Sequence, residues 1–86
     1  MNHQQTIEEL AYRSGEQVET CEAVMKAYEL YAENHLKKAR RNNLEEAAQA
    51  VAEETGLAAR ICENILTQFF DLLAERIPFM KRQGGK

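Results

Sequence analysis

Lys37, Lys38, Arg40 and Arg41 place four cations within five residues, and Asn42 and Asn43 follow directly. Lys81, Arg82 and Lys86 form a second, looser group, so the two groups hold seven of the chain's eleven Lys and Arg. Clustered cations neutralise phosphate, and neighbouring amides add hydrogen bonds to it. The same residues have a plainer reading: cations collect in the last turns of helices because they oppose the helix dipole, and a basic tail is readily solvated. Both readings fit the residues.

Other chemistries find less support. Cys21 and Cys62 lie on apolar stripes, where small buried thiols serve core packing; a redox pair is the competing role if a two-fold arrangement brings them together. His3 and His35 have no metal-ligating neighbour at a recognisable spacing, so no metal is expected; His35 is expected at the core edge and His3 in a frayed end. There is no glycine-rich phosphate loop, no nucleophile elbow and no carboxylate pair with a histidine partner. Tyr12, Tyr28 and Tyr31 are spaced for packing rather than for stacking bases. The expectation is a non-enzyme with no cofactor and no small-molecule substrate. The acids gather at Glu8, Glu9, Glu16, Glu19 and Glu22, and again at Glu45, Glu46, Glu53 and Glu54. Helix starts and exposed faces account for several of them, and an acidic surface for a basic protein is the alternative.

The bulk properties set limits. At 86 residues the chain is expected to be one domain, 1–86, close to the size where a single core just suffices. Its net charge of −3 argues against a globally basic nucleic-acid binder while permitting local patches. The opening MNHQQTIEEL has neither a basic n-region nor an apolar h-region, and with only two cysteines a reduced, cytoplasmic setting is expected. No apolar run approaches the roughly 20 residues that span a bilayer, so no membrane partner is expected.

The elements that must position these groups are helical. Pro78 is the one proline, and the four glycines are Gly15, Gly56, Gly84 and Gly85. The stretch Leu57 to Ile77 is the most apolar: Leu57, Ile61, Ile65, Phe69, Leu72 and Ile77 mark a stripe that Cys62, Leu66, Phe70 and Leu73 widen. Such a helix belongs at the centre of a core. Helices are expected at about 7–14, 17–41, 44–54 and 58–76. Thr6 and Glu9 suggest a capping box for the first, with residues 1–5 frayed, and Asn43 with Glu46 a capping signal for the third. Ser14-Gly15 and Thr55-Gly56 suit helix ends, and Pro78 stops the last helix.

Overlaid at an offset of 41, Leu10–Leu36 falls on Val51–Ile77 without a gap. Gly15 meets Gly56, Cys21 meets Cys62, Tyr28 meets Phe69, and the apolar phase is kept throughout. The expected architecture is a tandem repeat of one helix-turn-helix hairpin, repeat 1 at about 6–41, repeat 2 at about 43–78, and a flexible tail at 79–86. One hairpin has an apolar face and nothing to bury it against; two related by an approximate two-fold axis cover each other. The second copy is more apolar, with Phe69, Phe70 and Leu73 replacing Tyr28, Glu29 and Ala32, and these three are candidates for a partner or oligomer interface.

Ala50-Val51-Ala52-Glu53, Thr55-Gly56-Leu57 and Phe69-Phe70 resemble the helical part of the histone-like HU/IHF family. The first half is similar more weakly, through Ser14-Gly15 and Tyr28, with Glu16 where the leucine belongs. The resemblance implies an all-α, four-helix single-chain pseudo-dimer of two HU-like hairpins. The family's β-saddle and DNA-holding arms have no counterpart in this sequence. The resemblance favours a bacterial or phage DNA-associated protein, although it carries none of the family's DNA-holding residues onto this chain. The clustered cations Lys37, Lys38, Arg40, Arg41, Lys81 and Arg82 are then the candidates for low-affinity contact with the phosphate backbone of double-stranded DNA. The alternative is an armless module that binds a protein partner or a second copy through Phe69, Phe70 and Leu73.

Overall fold

The computed structural model describes residues 3–35 and 43–75, and these form four α-helices: α1 (His3–Ser14), α2 (Val18–Asn34), α3 (Leu44–Thr55) and α4 (Ala59–Glu75). The described residues contain no strand. No helix among them is long and apolar enough to cross a membrane. The all-α expectation holds. The basic residues Lys37, Lys38, Arg40, Arg41, Lys81 and Arg82 lie outside the described residues, as do Ile77, Pro78 and the expected flexible tail.

Two boundaries and one cap differ from expectation for local reasons. The first helix begins at His3, which puts Thr6 inside it. Glu9 does not serve a capping box at Thr6, because its carboxylate accepts from Arg13 Nε at 2.8 Å, four residues on. Gln4 Nε2 donates to Glu8 at 3.1 Å across the opening turn, which supports the helix over residues expected to fray. The second helix stops at Asn34 instead of running toward Arg41. There the Asn34 side-chain amide donates to Leu30 O at 3.0 Å, and His35 N closes the final turn on Tyr31 O at 2.9 Å. His35 itself, at φ −138° and ψ 57°, leaves helical geometry. At the third helix, Asn43 holds the N-cap position without a side-chain capping bond. Its ψ of 25° lies outside the extended region from which an N-cap side chain reaches the next turn.

The two tight turns are built alike. Gly15 N donates to Ala11 O at 3.0 Å, Gly56 N donates to Ala52 O at 2.8 Å, and both glycines have a φ of +80°. A side chain at that φ is strained even though a Cβ would meet nothing within 4 Å at either site. The hydroxyl before each glycine secures the turn: Ser14 Oγ accepts from Glu16 N, and Thr55 Oγ1 from Leu57 N, each at 3.2 Å. The short helices α1 and α3 have 12 residues each and the long helices α2 and α4 have 17 each. The start and end of α3 and α4 fall 41 positions after those of α1 and α2.

Each short helix packs against both long ones, and the long helices touch each other. α4 thus meets all three other helices, as its apolar girth leads one to expect. The core draws Ile7 and Leu10 from α1, Val51 from α3, Val24 from α2, and Ile65 and Leu66 from α4, each at most 1% exposed. Burial of such a side chain contributes about 1.5–3 kcal/mol, which matters in a domain this small. Val18, the first residue of α2, is exposed.

Candidate interaction surfaces

Of the eleven Lys and Arg, only Arg13, Lys26 and Arg60 are among the described residues, whereas all fourteen Asp and Glu are. The described part of the chain is therefore strongly acidic, while the whole chain carries −3. Arg13 does structural duty within it. Its Nη1 and Nη2 donate to the two carboxylate oxygens of Glu75 at 2.8 and 2.6 Å, while Nε holds Glu9. This fork joins the last turn of α1 to the last turn of α4, and the two carboxylates hold the guanidinium pKa above its ordinary value. Asn64 Nδ2 donates to Ser14 O at 3.0 Å and adds a second polar tie between the same helices.

The three residues expected at a partner interface are placed unequally. Phe69 and Phe70 are half-buried around Tyr28, whose ring meets them edge-on at centroid distances of 6.1 and 6.0 Å. Tyr31 stacks on Tyr28 at 6.2 Å and carries the exposed His35 ring at 4.8 Å. Leu73 is exposed and available to a partner. Tyr28 and Tyr31 are core residues as expected, but Tyr12 is 85% exposed, because it stands on the face of α1 away from the long helices.

Cys21 and Cys62 are free thiols with no exposed surface. Burial pushes both thiol pKa values above the ordinary 9.0, only partly offset by the hydroxyls of Ser14 and Thr55. Native thiols thus keep protons that unfolded thiols release. Their contribution to stability is complete below the unfolded thiol range and is lost as pH rises through the folded pKa values. With Ellman's reagent at pH 8, both thiols are expected to react at least about a hundredfold more slowly in the native protein than in guanidinium, since reaction requires opening of the fold. Equal rates in the two states would refute their burial.

Two concave surfaces lie among the described residues beside a smaller hollow. One, about 510 Å³, lies between the starts of α3 and α4 and is edged by Glu45, Glu46, Arg60 and Glu63. The other, about 290 Å³, lies between α2 and the end of α3, lined by Ala23, Lys26, Ala27, Leu30, Glu54 and Thr55. Sequence reasoning missed the second surface. Its signal was present: Ala23, Ala27 and Leu30 recur at helical spacing and flank the buried face of α2, with Ala27 itself buried. Among the described residues no three His, Cys, Asp or Glu side chains are grouped to hold a metal ion. No family model, curated protein or solved structure matches this chain.

Proposed function

We propose that this chain is a tandem pair of HU-like hairpins, a pseudo-dimer in one chain. In this reading it is a small DNA-associated, non-enzymatic protein of bacterial or phage cytoplasm. It contacts the phosphate backbone weakly through Lys37, Lys38, Arg40 and Arg41, assisted by Lys81 and Arg82. The observation that carries this reading is the partition of charge. The helical body holds every acid, while eight of the eleven cations follow the two long helices, at 36–42 and 76–86. A phosphate backbone is repelled by the body and attracted to those two segments, so contact is confined to them.

The test is fluorescence anisotropy of a labelled duplex of about 30 base pairs at two salt concentrations. Four phosphate contacts predict a fall in affinity of roughly a hundredfold between 50 and 200 mM salt. The variant carrying Gln at Lys37, Lys38, Arg40 and Arg41 is expected to lose most of the binding and most of the salt slope. A flat titration at low salt would eliminate the proposal. The exposed Leu73 favours a second reading, a protein-interaction module without DNA affinity. That reading predicts no DNA signal and a self-association or capture that Leu73→Glu disrupts.

A further inference from the structure

The two short helices each pack on both long ones, but the sequence fastens them by different means. α3 gives the core Ala47, Ala48 and Val51, with Leu44, Ala50 and Ala52 packed against it. At an offset of 41, α1 carries His3, Thr6, Ile7, Glu9, Leu10 and Ala11 in those places. Only Ile7, Leu10 and Ala11 join the core, so polar side chains replace half of the apolar anchorage. The rest of the hold on α1 is polar and sits at its last turn. Arg13 forks onto Glu75 of α4 at 2.8 and 2.6 Å, and Asn64 of α4 donates to Ser14 O at 3.0 Å. In the other half, the positions of Arg13 and Asn64 are Glu54 and Ala23, and neither side chain can make those donations.

We propose that α1 is a releasable cover: it leaves the core as a unit while α2, α3 and α4 stay packed, and the Arg13–Glu75 fork is its latch. Apolar burial holds α1 less firmly than α3, because its polar replacements are satisfied by water once the helix lifts away. Local opening is drawn from the elements with the least buried apolar surface. The fork acts against release. It is bidentate, which fixes the last turn of α1 in register on α4. Glu75 nevertheless keeps 53% of its side chain in water, so salt screens the latch. Three residues, 15–17, join α1 to α2, and rotation of the backbone there swings α1 away without unwinding α2. Cys21 of α2 lies under the cover: its Sγ is 3.7 Å from Ser14 Oγ at the end of α1, and it has no exposed surface. Its counterpart Cys62 bonds Thr55 at the end of α3. Release of α1 uncovers the first thiol and leaves the second closed. The inference does not depend on DNA binding.

The test is native-state hydrogen exchange of the ¹⁵N-labelled full chain, comparing the amides of residues 10–14 with their counterparts 51–55. The α1 amides are expected to exchange through an opening at least about tenfold more populated than that of α3. In parallel, the protein is pulsed with dithiodipyridine, a neutral disulfide, and the labelled cysteines are mapped by mass spectrometry. Cys21 is expected to react at least about fivefold faster than Cys62, with both far slower than in the unfolded chain. Arg13→Gln is expected to raise α1 exchange and Cys21 labelling by a further factor of about three to five, leaving α3 and Cys62 unchanged. Glu75→Gln is expected to act alike, and the double variant to add little, since either change breaks the same fork. Lys26→Gln removes an exposed cation of α2 outside the latch and is expected to change neither readout. The proposal is overturned by exchange of α1 and α3 through one common opening, or by equal labelling of the two thiols. It is equally overturned if Arg13→Gln speeds exchange in all four helices alike, which would make the fork a general stabiliser. Circular dichroism of each variant checks that helix content is kept.

Discussion

Leu66→Ala is expected to destabilise the protein by about 2–5 kcal/mol and to lower its melting temperature by roughly 10–30 °C. Leu66 has no exposed surface and lies on α4, which packs against the other three helices. Truncation there removes the transfer energy of three carbons and leaves a cavity that helices fixed from several sides cannot collapse to fill. Small domains have only about 5–15 kcal/mol of total stability, so the loss is a large fraction of the whole. Leu73→Ala, on the same helix but exposed, is the control and is expected to stay within about 0.5 kcal/mol of the parent. Urea titrations of both variants, fitted with a common slope, check this. A loss below about 1 kcal/mol at Leu66 would contradict the packing of α4 at the centre.

Tyr28→Ala is expected to cost about 3–5 kcal/mol, by analogy with ring removal from other cores. Tyr28 is the ring against which Phe69, Phe70 and Tyr31 all pack, so it joins α2 to α4 through two aromatic pairs and stacks on Tyr31 within α2. Its removal is expected to abolish much of the near-ultraviolet circular dichroism while far-ultraviolet helicity falls less, because packing is lost before local helix. It should also expose Phe69 and Phe70, giving new binding of a hydrophobic dye. If the variant instead kept its near-ultraviolet spectrum and its melting temperature, the aromatic cluster would not be what couples the two long helices. The phenol itself titrates above its ordinary 10.0, because burial disfavours the phenolate. Its contribution to stability is therefore complete below the unfolded phenol's pKa and is lost as pH rises through the folded value.

Much of this architecture was legible in the residues, because it depends on local rules. Four helices follow from apolar spacing, two helix ends from Ser14-Gly15 and Thr55-Gly56, and the central place of α4 from an apolar surface too wide for one neighbour to cover. The buried thiols and the core roles of Tyr28 and Tyr31 follow from the same periodicity. The early start of α1 was less legible, since a Gln4–Glu8 pair and the diversion of Glu9 to Arg13 outweigh a plausible capping box. Likewise α2 ends at Asn34, where the side-chain amide folds back onto Leu30 O and His35 leaves helical geometry, an end that stripe periodicity does not encode.

Tertiary packing decided the surfaces. Phe69, Phe70 and Leu73 look equivalent in sequence, yet the Tyr28 ring takes up the first two and leaves only the third exposed. The Arg13–Glu75 fork joins residues 62 positions apart and has no sequence signature. The hollow between α2 and α3 is lined by Ala23, Ala27 and Leu30 from one helix and by Glu54 and Thr55 from the other, residues that meet only in the packed fold. Composition and periodicity depend on each residue and its near neighbours, so the sequence by itself determined the helices and most of their buried faces. Which apolar side chain is covered, which cation is engaged and where a groove stays open depend on what the remote half of the chain brings opposite. Only the packed structure decides that.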